Sequence, residues 1–247
     1  MRPRVLFITS WQFSPRVCEL IPATRTLLEM LRIEYDIDIF EWPTFKDGPD
    51  YEPTWQAIAD NIRSEVTPGT HIIVTGATTA VVMMALSGDD RAASLITAGM
   101  IVPPATLRSL GMNDLASGVE LVGRISHSVQ SGYQTLQTVM AGAPASDVRR
   151  ITRHVDADVD WRRARRFSAS FGGLDLVQEA PLITTPALCL DVSVKMPGWG
   201  EMSKIFRLFV PHAAGGELKL WPGKLQDPAA GRDFAEKARS FIEQVHA

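Results

Sequence analysis

The sequence predicts an α/β protein in which a mostly parallel sheet carries helices on both faces, and three observations support that fold class. Short, continuous apolar runs such as VLFIT (5–9) and HIIVT (71–75) lack the alternation of a half-exposed strand, so they read as strands buried on both faces. Segments of helical period stand between these runs. The links are short and rich in glycine and proline, which suits strands alternating with helices.

Taken in order, Val5–Thr9 is an early central strand that ends at SWQFSP. Leu20, Ile21, Leu27, Leu28, Met30 and Leu31 fall near helical spacing and predict a helix over Leu20–Arg32. Asp36–Phe40 reads as a second strand leaving through Glu41-Trp42-Pro43. Pro53 can open a helix, and Trp55, Ile58, Ala59, Ile62 and Val66 form one stripe over Thr54–Val66, which Pro68-Gly69 ends. His71–Leu86 then passes from strand through Gly76 into a buried helix, and the chain is organised around this junction. Ala92–Val102 is a fourth strand ended by Pro103-Pro104. Residues 105–180 lose the rhythm: two amphipathic helices, Glu120–Met140 and Val159–Ser170, predict a helical insertion over the strand ends. Strands resume at Ala187–Val192 and Glu217–Trp221, and Phe234–Val245 is a closing helix.

At 247 residues and 45% hydrophobic content the chain has ample material for one large core. A net charge of −3 gives no reason to expect nucleic acid or an anionic membrane as partner. The one basic cluster, WRRARRF (161–167), follows Asp156, Asp158 and Asp160 and reads as a solvated helix face. Two cysteines in apolar settings, Cys18 and Cys189, do not make a disulfide framework, and a reducing cytoplasm fits. RVLFIT follows the first residues directly, and no apolar run approaches the ~18 residues of a membrane span, so neither a signal peptide nor a spanning segment is expected. No phosphate-cradling G-x-x-x-x-G-K-[ST] or G-x-G-x-x-G follows the first strand, and no H-E-x-x-H, C-x-x-C or His/Asp cluster occurs. Hence no cofactor or metal is expected.

Six pieces resemble the α/β-hydrolase family in order and spacing across nearly the whole chain, beginning at what would be its third strand. VLFITSW resembles the strand and loop that in the family end in His-Gly, and YDIDIFEWP resembles the next strand with its exit. TPGTHIIVTGATTAVVMMAL resembles the nucleophile elbow and RAASLITAGMIVPP the strand after it. TTPALCLDVSVKMP resembles the strand before the acidic triad member, and ELKLWPGKLQDPAAGRDFAEKARSFI the last strand, histidine loop and terminal helix. The resemblance implies an α/β-hydrolase core of residues 1–104 and 181–247 with a lid at 105–180.

All three triad positions depart from the family's pattern. In G-x-S-x-G the chain reads Gly76-Ala77-Thr78-Thr79-Ala80, so Thr78 stands for serine. The acid's stretch holds Ser193, Val194, Lys195 and Met196, with Asp191 earlier, and the histidine position falls on Lys224. Ser10 and Trp11 replace the glycine-bearing oxyanion loop. Ser-His-Asp hydrolysis is therefore not expected, because nucleophile, base and carboxylate must act together. The expected catalytic residues are Thr78, Asp191, Lys224 and His127, the last being the one histidine of the lid's first helix. Ser10, Trp11, Thr79 and Met100 are expected to line the oxyanion site and pocket, where backbone N–H groups of Thr79 and Trp11 can polarise a carbonyl whatever the side chains.

The resulting expectation is a non-hydrolytic enzyme of cyclase, lyase or isomerase type. Its substrate is a hydrophobic, carbonyl-bearing small molecule, as when this fold serves specialised metabolism. A non-catalytic ligand-binding protein on the same scaffold is the alternative, and a residual Thr78-dependent esterase or thioesterase is third. Expected surroundings are cytoplasmic, with a hydrophobic small molecule as partner, and homodimer formation through the lid or an edge strand is compatible with the sequence.

Overall fold

The computed structural model describes residues 2–10, 13–42, 54–128, 143–180, 182–192, 202–218 and 225–246. Six parallel strands form one sheet in the order β2-β1-β3-β4-β5-β6: β1 Arg4–Ile8, β2 Asp36–Ile39, β3 Thr70–Thr75, β4 Ala92–Ala98, β5 Ala187–Val192 and β6 Ala214–Leu218. The apolar runs of β3 and β4 occupy the centre, where both faces are covered, whereas β2, with exposed Asp36 and Asp38, forms an edge.

Between the strands lie α1 Pro15–Leu20, α2 Pro22–Leu31, α3 Trp55–Glu65 and α4 Thr78–Leu86. The helix predicted over 20–32 is α2, and the short α1 before it is not predicted from the sequence. Pro22 offers no N–H and forces Ile21 into an extended conformation (φ −81°, ψ 118°), so α1 ends and α2 restarts there. Ser14 caps α1 and Thr54 caps α3, each side-chain oxygen accepting a backbone N–H of the first turn. All nine residues of α4 are buried, as its apolar sequence requires. Arg63 of α3 serves its C-terminal end, donating Nε to Ala85 O (2.9 Å) and Nη2 to Met84 O (3.0 Å).

After β4 come α5 Pro104–Ser109, α6 Asn113–Ser128, α7 Ala145–Asp158, α8 Trp161–Ser170, a 3₁₀ turn Phe171–Gly173 and α9 Leu176–Glu179. The helix predicted from 120 thus starts seven residues earlier, at Asn113, and its predicted end lies outside the described residues. α7 was not predicted, since its apolar stripe of Val148, Ile151 and Val155 is interrupted by arginines. The insertion shares one hydrophobic core with the sheet domain. Trp55 of α3 stacks on Phe167 (ring centroids 3.8 Å) and donates to Ser170 Oγ at 2.8 Å. Thr106 Oγ1 donates to Leu174 O (3.0 Å) and accepts from Leu176 N (2.9 Å).

α10 Met202–Phe209 joins β5 to β6, and α11 Pro228–His246 ends the chain. β6 lies three residues earlier than the predicted 217–221, because AGGEL forms the ladder with β5 although its glycines hide the strand signal. The register Leu188↔Ala214 through Val192↔Leu218 places Asp191 beside Glu217. α2 packs against α11, and α3 against α4.

Candidate functional site

In an open parallel sheet a site forms beyond the carboxyl ends of the strands, where successive exits diverge. Here that end is built by the exits of β1, β3, β4 and β5. The β3 exit turns on Gly76 at φ +67°, a conformation glycine adopts without steric cost. Gly76 N–H donates to Ala98 O at 2.9 Å, Ala77 is already in helical conformation, and α4 starts at Thr78 with no side-chain cap on its first N–H groups. A Cβ added to Gly76 would meet nothing within 4 Å, so the turn faces open space. Replacing Gly76 by alanine is expected to cost about 1–2 kcal/mol of stability through the positive φ alone, with no steric clash. Urea denaturation of Gly76→Ala against wild type measures it.

Thr78 faces inward. It is 3% exposed, and its hydroxyl donates to Thr9 O at 3.2 Å. The same carbonyl accepts Trp42 Nε1–H at 3.0 Å, so β1, the β2 exit and α4 are tied together at one atom. Thr79 is fully buried, its Oγ1 lying 3.0 Å from Thr97 Oγ1. Both threonine side chains therefore stitch the junction from within, which sets them apart from the expected ligand-facing hydroxyl. Ser10 is half-buried, and its carbonyl accepts Phe13 N–H at 2.9 Å. Met100 is 3% exposed, just past Gly99, whose φ is +65° and whose N–H donates to Leu190 O at 3.2 Å. Trp11 lies outside the described residues.

Asp191 sits half-buried near the end of β5, in register with exposed Glu217 on β6. Neighbours in register on parallel strands point to the same face at a spacing of about 4.8 Å, so two carboxylates share this end of the sheet. Glu217 has no expected role, because a strand over 217–221 puts it at the entry of the last strand, away from Asp191. Lys224, the expected partner of Asp191, lies outside the described residues, as does Lys195. His127 lies on the backbone of α6, its side chain outside the description.

His212 Nε2–H donates to Thr185 O at 2.9 Å, at the opposite end of the sheet, before β5 and β6. Among the described residues no imidazole is hydrogen-bonded to Thr78 or Asp191. Burial, with Asp191 nearby, pushes the Cys189 thiol up to about 12, against a lowering by Arg207, so it is no nucleophile at neutral pH. Burial does the same to Cys18. Among the described residues no three His, Cys, Asp or Glu side chains are grouped to hold a metal ion, and no helix is long and apolar enough to cross a membrane.

This architecture recurs in solved structures. Bromoperoxidase from Bacillus anthracis superposes with a TM-score of 0.70 at 15% identity, covering 98% of this chain and 92% of that one. An esterase from Exiguobacterium antarcticum gives 0.67 at 13% identity over 97% and 91%. The enol-lactonase from Burkholderia xenovorans LB400 gives 0.65 at 12% over 98% and 92%. No family model and no curated protein matches the chain. With six parallel strands in this order, a glycine turn between β3 and a buried helix, and likeness over nearly its full length, the chain has the α/β-hydrolase fold.

Proposed function

We propose that this chain does no acyl-transfer hydrolysis and instead uses the elbow end of the sheet for non-covalent chemistry on a hydrophobic, carbonyl-bearing small molecule, of the cyclase, lyase or isomerase kind. The observation that carries the reading is the elbow itself. Its positive-φ residue is Gly76, which has no side chain to attack with, and the hydroxyl at the expected nucleophile position, Thr78, is turned into the core toward Thr9 O. A covalent intermediate needs a nucleophile with a base beside it, and the described residues supply neither here.

At the buried start of α4 the Thr79 and Ala80 N–H groups close onto Gly76 O and Ala77 O at 3.2 Å each, so the donors proposed to polarise a carbonyl beside Gly76 are the N–H groups of Ala77 and Thr78 rather than that of Thr79. Asp191 is the carboxylate assigned to move a proton, with Lys224 and His127 as its proposed partners. Met100 supports an apolar wall. Rate enhancement would then rest on holding one substrate conformation against those donors.

A series of p-nitrophenyl acyl esters tests the reading at pH 7 and pH 9, with wild type, Thr78→Ala and Asp191→Asn. All three are expected to stay at background. Cleavage by wild type that disappears in Thr78→Ala overturns the proposal and restores a threonine nucleophile. Ligands retained by the purified protein, identified by native mass spectrometry, then separate an enzyme from a binding protein. Turnover of such a ligand that is lost in Asp191→Asn marks an enzyme, and stable retention without turnover marks the alternative.

A further inference from the structure

At the end of the sheet opposite the elbow, two histidines meet. His71, at the start of β3, is fully buried, its Nδ1 2.8 Å from Ser94 Oγ on β4. Its Nε2 lies 2.8 Å from Nε2 of His246, the last residue of α11. The rings cross nearly at right angles (82°, centroids 4.8 Å), and Tyr35 approaches His71 edge-on at 6.5 Å. A concavity of about 410 Å³, lined by Pro3, Glu34, Tyr35, Ile242, Glu243 and His246, opens beside the pair.

Two nitrogens at this distance are joined by one proton. Either His71 donates to His246 while Ser94 donates to Nδ1, or His246 donates to His71 while Nδ1–H donates to Ser94. The pair can take up one additional proton without losing the contact. A second puts N–H against N–H and places two positive charges side by side. The surroundings do little to relieve this at His71. β1 presents Val5 in register, β4 presents Ser94, and the α2–β2 turn presents buried Tyr35 and half-buried Glu34. On α11, Arg239 pairs with Glu34, leaving Glu243 as the carboxylate at the rim beside exposed His246.

We propose that the His71–His246 contact is a proton-operated latch: it fastens the last turn of α11 to the sheet at neutral pH and releases that turn, widening the neighbouring concavity, when both imidazoles are protonated. Burial, and next the charge on His246, hold the His71 imidazole down at about 4, so the latch is closed at neutral pH and opens toward that value. The exposed outer side of His246 gives protons access.

Hydrogen exchange at pH 7.5 and pH 4.5, corrected for intrinsic rates, tests it in three forms of the full chain. In wild type, protection of the last turn of α11 is expected to fall about tenfold or more at pH 4.5, while the first turns keep theirs. His246→Ala should be open at both pH values. His246→Gln should stay closed at both, because an amide offers His71 a donor or, after a flip, an acceptor. The proposal is overturned if His246→Gln loses protection together with wild type. It is equally overturned if wild type keeps the last turn at pH 4.5, or loses it only together with all of α11.

Discussion

Replacing Gly231 by alanine is expected to destabilise the protein by about 3 kcal/mol, although alanine is the better helix former. Gly231 lies in the first half of α11, where that helix crosses α2. A Cβ there would stand 2.0 Å from Ala23 O and 2.9 Å from Leu27 N. Both are backbone atoms, so no side chain can rotate away. The two helices would have to separate along the face where α11 makes its main packing. Ala23 is held from the other side as well, its N–H donating to Leu225 O at 2.9 Å. The gain in helix propensity is about 1 kcal/mol, which the overlap outweighs. For a chain of this size the net loss corresponds to a fall in melting temperature of about 6–12 °C. Thermal unfolding of Gly231→Ala measures it, and an unchanged midpoint would show that α2 and α11 do not touch at this glycine.

The second large effect is acid lability through His71. The imidazole titrates at about 4 when folded, against an ordinary 6.5, chiefly because burial penalises its charged form. The unfolded chain therefore takes up the proton first. Stability is complete above about pH 6.5 and declines as pH falls toward 4. At about 1.4 kcal/mol per pH unit, the whole window corresponds to about 3 kcal/mol, an upper bound that opening of the last turn of α11 would reduce. Asp89 acts in a different window. Its hydrogen bond from Arg91 holds the carboxyl below its ordinary 3.8, so its contribution is present above that value and lost only at lower pH. Urea midpoints at pH 7.5, 5.5 and 4.5 for wild type and His71→Gln test the assignment. The variant starts lower but should show a flatter slope between 6.5 and 4. A slope equal to that of wild type would place the acid sensitivity elsewhere.

These two residues show how unevenly the structure can be read from the chain. The strands of the sheet centre were legible because burial on both faces leaves one pattern, a short unbroken apolar run, as in β3 and β4. Gly76 was legible as a turn for the same reason: it interrupts such a run at the point where the period changes from strand to helix. β6 was displaced by three residues because Gly215 and Gly216 carry no side chains from which a period can be read. They are tolerated where the ladder with β5 supplies the order. α10 was missed although its apolar residues sit at helical spacing, since Met202–Phe209 follows a glycine- and proline-rich stretch that reads as loop.

The candidate site divides in the same way. The positions of Thr78, Thr79, Asp191 and Met100 near the strand exits followed from their order along the chain. Which way the threonines point did not, because their hydrogen-bond partners, Thr9 and Thr97, come from distant parts of the chain.

By itself, then, the sequence determined the fold class, which depends on local pattern and on the order of strand and helix signals along the chain. Only the tertiary structure decided that the elbow hydroxyl is buried, that Glu217 stands beside Asp191, that Gly231 lets two helices touch, and that His71 meets His246. Each of these depends on atoms brought together from distant parts of the chain, 175 residues apart for the two histidines, and no local pattern encodes such an encounter.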